Sequence, residues 1–196
     1  MIQALRPAIV SMILFTLVLG LAYPLAMTGA IGALMPFQAG GSLLKDAGGQ
    51  VIGSGLLAQG FARPEYLHPR PSAAGNGYDP LSSGGSNYGP LAKKLIDRVK
   101  GDADSIAKLE GVRDIPADAV TTSASGLDPD ISPANARMQA PRIAGARGVS
   151  SADVQNVIAA HTVHPMLGFI GQPTVNVLGV NRDLDARFPI GHRKAP

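Results

Sequence analysis

The chain has 196 residues, a formal net charge of +3, 16% charged and 5% aromatic residues, and neither cysteine nor tryptophan. The missing cysteines exclude disulfides, thiolate metal centres and cysteine nucleophiles, and are compatible with export to an oxidising space. Lys93, Lys94, Arg98 and Lys100 are interleaved with Asp97 and Asp102, and without a basic stripe or aromatics to stack bases no nucleic-acid partner is expected.

No charged residue occurs between Pro7 and Leu44. The apolar run from Ala8 to Tyr23 continues past Pro24 to Leu34, and about 20 such residues suffice to span a bilayer. The pattern predicts a short cytoplasmic N-terminus over 1–7, a transmembrane helix over 8–34 and an extracytoplasmic domain over 35–196. Pro24 removes a backbone donor and predicts a kink. Arg6 precedes the span and the next charge is Lys45, so the positive-inside bias places the N-terminus in the cytoplasm. The rival reading is a cleaved signal peptide with Thr28 and Ala30 before the cut, but the apolar region exceeds the ~7–15 residues of a signal core. Ala22, Ala26, Gly29 and Ala33 share one helical face. Small residues let helix backbones approach in lipid, which suits a partner helix. The alternative is that they reflect ordinary membrane-helix composition.

A short strand is predicted at Val51–Ser54. From Pro64 to Pro90 the chain is rich in Gly, Pro, Ser and Asn, a long irregular stretch that suggests function or disorder. Tyr66, Leu67, His68, Arg70, Tyr78 and Tyr88 within it are side chains able to pin a loop to a surface. A helix is expected from Pro90, with a stripe of Leu91, Leu95, Ile96, Val99, Ile106 and Leu109 and a break at Gly101. A strand near Ala119–Ser123 follows. Ser132-Pro133 reads as cap and first-turn proline of a helix running to Arg147, disturbed at Pro141. Ser150-Ser151-Ala152-Asp153 resembles a capping box, with Val154, Val157, Ile158 and His161 on one face. Thr174–Val180 reads as a strand, and Asn181 as the next cap. The fold class is α/β in the mixed α+β sense: one extracytoplasmic domain tethered by a single N-terminal transmembrane helix.

Catalytic patterns are missing. Gly84-Gly85-Ser86-Asn87-Tyr88 is not a nucleophile elbow, and the two S-x-x-K matches at Ser42 and Ser105 lack their companion motifs. There is no phosphate-binding loop of the G-x-x-x-x-G-K-[ST] type. Of His68, His161, His164 and His192, the pair His161 and His164 has no nearby acidic ligand and fits a helix end better than a metal site. Asp128 and Asp130 are explained by a turn. Ser82-Ser83-Gly84-Gly85-Ser86-Asn87 precedes a helix and offers backbone N–H groups for an anion; the other reading is a surface turn shaped for protein docking. Thr122 to Pro129, leading to Gln139-Ala140-Pro141-Arg142, is rich in small hydroxyls but has no positioned base.

An ordered series of segments resembles the KdpC family, the C subunit of the bacterial potassium-transporting P-type ATPase. It begins at Arg6-Pro7-Ala8 and continues through Tyr23-Pro24-Leu25, Gln38-Ala39-Gly40-Gly41-Ser42-Leu43, Gly53-Ser54, Arg70-Pro71-Ser72-Ala73 and Ser83-Gly84-Gly85-Ser86-Asn87. It resumes at Thr122–Pro129 and Gln139-Ala140-Pro141-Arg142, then at Gly171–Leu178 and Asn181-Arg182-Asp183-Leu184-Asp185. Departures are Gly40 where the family suggests Asn and Thr122 where it suggests Ala. The resemblance implies a non-catalytic accessory subunit of an ATP-driven potassium importer, in the bacterial inner membrane. Its implied partners are a channel-like subunit and a P-type catalytic subunit, with membrane lipid around the anchor. It implies stabilisation of the assembly and a catalytic-chaperone role that raises ATP affinity. No cofactor of its own is expected. ATP acts through the complex, either by direct contact or by coupling from a domain outside the membrane, and the coupled version fits the expected topology.

The competing classes are a membrane-tethered exported serine hydrolase, supported only by the Ser- and Gly-rich loops, and an independent binding module. Candidate partner-facing or loop-fixing residues are Arg70, Ser72, Ser86, Asn87, Asp128, Gln139 and Arg142. Arg70 and Arg142 are equally suited to clamp loop carbonyls from within, because a guanidinium carries five donors.

Overall fold

The computed structural model describes residues 2–46 and 48–190, in two compact units, Met1–Ser54 and Gly55–Pro196. His192 and the end of the tail lie outside the described residues.

The first unit begins with helix α1 (Ile2–Leu17), a π-helical turn (Val18–Ala22) and helix α2 (Tyr23–Leu34). Gln3–Leu34 is long and apolar enough to cross a membrane, and none of its most apolar window is buried within the structure. The sequence predicts a kink at Pro24; the structure has a π turn just before it. A proline ring crowds the carbonyl four residues back and donates nothing to it. The ladder responds by widening, and the Tyr23 amide donates to the Val18 carbonyl, five residues back. A short helix α3 (Pro36–Ala39) leads to an antiparallel hairpin of β1 (Leu43–Lys45) and β2 (Val51–Ser54). The strand predicted at Val51–Ser54 is present; its partner, three residues long, is too short for periodicity to reveal.

The second unit opens with an irregular segment that runs to helix α4 (Lys93–Glu110). Then come a single turn α5 (Ala117–Val120), strand β3 (Asp130–Ile131), helices α6 (Pro133–Arg147) and α7 (Ser151–Ala160), strands β4 (Thr162–Val163) and β5 (Thr174–Asn176), and helix α8 (Val177–Arg187). The sheet order is β3-β5-β4, antiparallel throughout. Its core joins Ile131 and Val175 of the sheet to Ala136, Ala140, Ile143 and Ala144 of α6, Val154, Val157 and Ile158 of α7, and Val180 and Leu184 of α8. The alanines of α6 fall at helical spacing on one face, which lets α7 pack closely.

Several sequence expectations need correction. Helix α4 starts at Lys93, not Pro90, because Gly89 to Ala92 close a separate turn, Ala92 N–H donating to the Gly89 carbonyl at 2.9 Å. It runs unbroken through Gly101, whose missing side chain faces open space. α6 is likewise continuous through Pro141, since burial of its alanine face outweighs one lost backbone bond. Of the strand expected at Ala119–Ser123, Ala119 and Val120 belong to the α5 turn, Thr121 is extended, and Ser123 forms an isolated bridge with Ser72. β5 stops at Asn176 rather than Val180. The Asn176 side chain accepts from Gly179 N–H at 2.8 Å and so caps α8, which places Asn181 inside the helix. The caps at Ser132 and Ser150 form as expected, the second as a complete capping box.

Candidate functional site

The segment from Phe61 to Ser86 has almost no regular structure, so its backbone groups need partners from elsewhere. Two buried amides supply them. Asn181 accepts from Leu67 N–H at 2.7 Å and donates to the Leu67 carbonyl at 2.9 Å. Gln139 does the same for His68, at 2.8 and 3.1 Å. A primary amide matches both groups of one peptide unit, so α6 and α8 together hold two consecutive residues as a strand would. Leu67 itself is fully buried in the core. Gln139 is positioned in turn by Asn135, and Asn135 by Asp118, whose carboxylate also receives Ser132 N–H and Oγ–H.

Two arginines extend this grip. Arg142 reaches from α6 to Glu110 of α4 at 2.8 Å, to the Tyr66 carbonyl at 3.0 Å, to the Pro64 carbonyl and to Gln139 Oε1. Arg147 has no exposed side-chain area. It donates to the Glu65 and Phe188 carbonyls and to Asp185, and stacks 5.2 Å from the Tyr66 ring centre. The buried neighbourhood and Asp185 push the Tyr66 phenol up from its ordinary value. Burial draws the His68 imidazole down, with Arg142 adding to that direction and the Arg63 carbonyl opposing it.

Arg70 organises a second junction. It donates to the Thr121 and Thr122 carbonyls at 3.1 and 3.0 Å and to Asp128 at 2.7 Å. Its own carbonyl accepts from the Tyr78 hydroxyl. Burial pushes that phenol to about 12. Beside it, Ala73 N–H donates to the Ser123 carbonyl and Ser123 N–H to the Pro71 carbonyl. Ser83 and Gly84 add bonds to the carbonyls of Ser125 and Ala124. Ser72 accepts from Ala74 N–H. Gly126 has φ +71°, and a Cβ there would lie 2.6 Å from that of Ala74; the motif needs glycine for both reasons.

Of the residues singled out from sequence, the structure gives Arg70, Asp128, Gln139 and Arg142 internal partners that fix loops, and Ser72 a local one. Ser86 and Asn87 are exposed in an irregular stretch in which Asn87 has φ +52°, and the loop that carries them ends several residues before α4 begins, so it does not form that helix's N-terminus. Ala22, Ala26, Gly29 and Ala33 are exposed in their unit. His161 closes α7 and pairs with Asp183 at 3.2 Å. Among the described residues neither Ser86 nor Ser125 has a histidine partner; Ser125 Oγ lies 3.3 Å from Ser123 Oγ and accepts from Leu127 N–H. Sequence reading passed over Asp118, Glu110, Arg147 and the inward role of Asn181. Their partners are distant in the chain, and a single sequence carries no signal for such pairs.

One surface feature was also passed over. Between β4 and β5, Met166 and Ile170 pair backbone to backbone around a tight tip. Leu167 at the tip has φ +55°, a left-handed conformation that is unfavourable for a bulky residue. The result sets Val163, Met166, Leu167, Phe169 and Ile170 outward, with Leu167 and Phe169 about three-quarters exposed. No Asp, Glu, Lys or Arg occurs from His164 to Asn181.

The family model described as K+-transporting ATPase, c chain, matches residues 5–186. The chain is 66% identical over 195 residues to the potassium-transporting ATPase KdpC subunit of Caulobacter sp. (strain K31), covering 99% of each. It is 54% identical over 198 residues to the protein of that description from Beijerinckia indica subsp. indica, covering 100% of each. With its counterpart in Koribacter versatilis (strain Ellin345) it shares 47% over 175 residues, 89% of this chain and 90% of the other.

Proposed function

The chain belongs to the KdpC family, the c chain of K+-transporting ATPases, and from that premise we propose that it is a non-catalytic accessory subunit that binds a channel-like subunit and a P-type catalytic subunit. The apolar β4–β5 hairpin is the observation that carries this reading. Exposed apolar patches on otherwise polar domains mark interaction sites, and strain at Leu167 persists only where something else offsets it. The hairpin docks on an uncharged extracytoplasmic surface of a neighbouring subunit, and the anchor helix packs its small face of Ala22, Ala26, Gly29 and Ala33 against a partner helix.

In this reading the segment 8–34 spans the inner membrane, with 1–7 in the cytoplasm and 35–196 outside. ATP then stays on the opposite side, and the chain raises ATP affinity by favouring one conformation of the assembly, which requires contacts that differ between two states. The natural absence of cysteine makes the topology testable: Ser86→Cys in intact cells should react with a membrane-impermeant maleimide. Protection until the membrane is broken would place the domain inside. The coupling is tested by assaying ATP hydrolysis of the catalytic subunit in the complete complex and in one lacking this chain. A lower KM for ATP with the chain present is expected, and an unchanged KM would remove the chaperone role.

A further inference from the structure

A groove of about 360 Å³ borders the β4–β5 hairpin, between α6, the C-terminal half of α7 and β4. Arg137 of α6, Gln155 and Asn156 of α7, and Thr162 and His164 at the start of the hairpin line it. All of these except the half-buried Thr162 are exposed, so the groove is open to whatever covers the hairpin.

Its polar lining is rich in donors, and among the described residues no Asp or Glu lines it. A guanidinium carries five N–H donors and a primary amide two. Among the described residues, the side chains of Arg137, Gln155, Asn156 and His164 have no hydrogen-bond or ion-pair partner. The other arginines of this unit's framework differ: Arg70, Arg142 and Arg147 each spend donors on carbonyls and a carboxylate of their own chain. The electronegative end of α7 attracts a cation, which accounts for an arginine nearby but not for its unused donors. The Val157 and Ile158 carbonyls there already receive His161 N–H at 3.2 Å, and Ile158 also receives Thr162 Oγ–H at 2.8 Å.

We propose that this groove receives a carboxylate of the neighbouring subunit when the hairpin docks, an Asp or Glu side chain at the margin of the uncharged surface, with Arg137 as its ion-pair partner. This deepens the subunit reading and rests on it. His164 lies three residues from Leu167, at most about 11 Å of chain. An interface of ordinary size covers ~800 Å² on each partner, so a surface docked on the hairpin spans both. A free anion is the weaker occupant, because an exposed ion pair in water contributes too little to hold a small ion by itself. A carboxylate carried on a docked surface needs no separate association, and its attraction to Arg137 strengthens as the interface sheds water. The hairpin's apolar contacts are non-directional; a charge pair beside them fixes register and rejects wrong partners.

The test uses the complete complex, purified from native membranes through a tag on this chain. Arg137→Glu sets a like charge against the carboxylate and should lower recovery of the neighbouring subunits at least tenfold. Arg137→Lys keeps the charge and adds an amine that a carbodiimide can couple. Mass spectrometry of that complex should find position 137 joined by an amide bond to an Asp or Glu of another subunit. The parent, whose guanidinium does not couple, should show no link there. The inference is overturned if Arg137→Glu is recovered as the parent is, or if position 137 links to no carboxylate of another subunit. Lost recovery without such a link also overturns it, and assigns the groove to a different anion such as a lipid phosphate. A parent chain that elutes alone removes the subunit reading itself; a parent that co-elutes while either result above is negative removes only the carboxylate.

Discussion

A primary amide satisfies one peptide unit completely, because it carries both donors and an acceptor. Asn181 and Gln139 use that property on the buried Leu67 and the partly buried His68. Asn181→Leu preserves volume but strands two backbone groups, and should cost roughly 2–6 kcal/mol, since each unsatisfied buried group costs ~1–3. Urea unfolding of the purified chain measures it; a loss under about 0.5 kcal/mol would mean that water replaces the amide. His68 and Tyr78 act at opposite ends of the pH scale. His68 is lowered in the folded chain, so its contribution is full above the unfolded value near 6.5 and is lost as pH falls through the lower folded value. Tyr78 is raised to about 12, so its contribution is full below the unfolded value near 10 and is lost as pH climbs from there to about 12. Unfolding midpoints should fall below pH 6.5 and above pH 10, with the alkaline loss reduced in Tyr78→Phe. Gln139, Arg142, Arg70 and Asp128 were legible in the sequence as important, because they sit in motifs. The direction in which they point was not. Each finds a partner that is 58 to 76 positions distant in at least one of its bonds, and no local pattern encodes such a pairing.

Helix boundaries were most legible where a cap chemistry writes them. Ser132 and Ser150 start α6 and α7 as their sequences predict, because a hydroxyl that accepts from the third following amide is a purely local device. Ser150→Ala should therefore cost about 1 kcal/mol, whereas Ser86→Ala, in an exposed stretch, should stay within ~0.5 kcal/mol. Thermal unfolding of the two variants side by side separates a structural hydroxyl from one kept for contact. Boundaries failed where tertiary demands compete. Thr174 to Val180 has the β-branched content of a strand, yet Asn176 caps a helix from Val177 because the core needs Val180 and Leu184 on one helical face. The residues predicted as a strand near Ala119 turn helical because Asp118 faces Ser132 and Asn135. In the first unit, Pro24 announced an irregularity whose form, a π turn, depends on how the ladder before it can widen. Pro24→Ala should let the Tyr23 amide return to the carbonyl four residues back, a change visible in amide NMR of the helix in micelles. A retained bond to Val18 would assign the π turn to the glycine-containing sequence itself.

At the scale of the molecule, the family and the mixed α/β class were readable from an ordered series of motifs, and the apolar helix from composition alone. The exposed apolar hairpin was not, because an apolar run such as Met166-Leu167-Gly168-Phe169-Ile170 reads as core until its burial is known. The most direct measurement is a tagged purification from native membranes of cells grown under potassium limitation, comparing the parent chain with the double variant Leu167→Asp, Phe169→Asp. We predict that the parent co-elutes in equal amounts with a channel-like subunit and a P-type ATPase subunit. The double variant, exposed-site and folded, should lose at least tenfold of that recovery, a change worth ~1.4 kcal/mol or more. A parent chain that elutes alone, intact and folded, would contradict the subunit account. Equal recovery with the double variant would keep the complex and remove the hairpin from its interface.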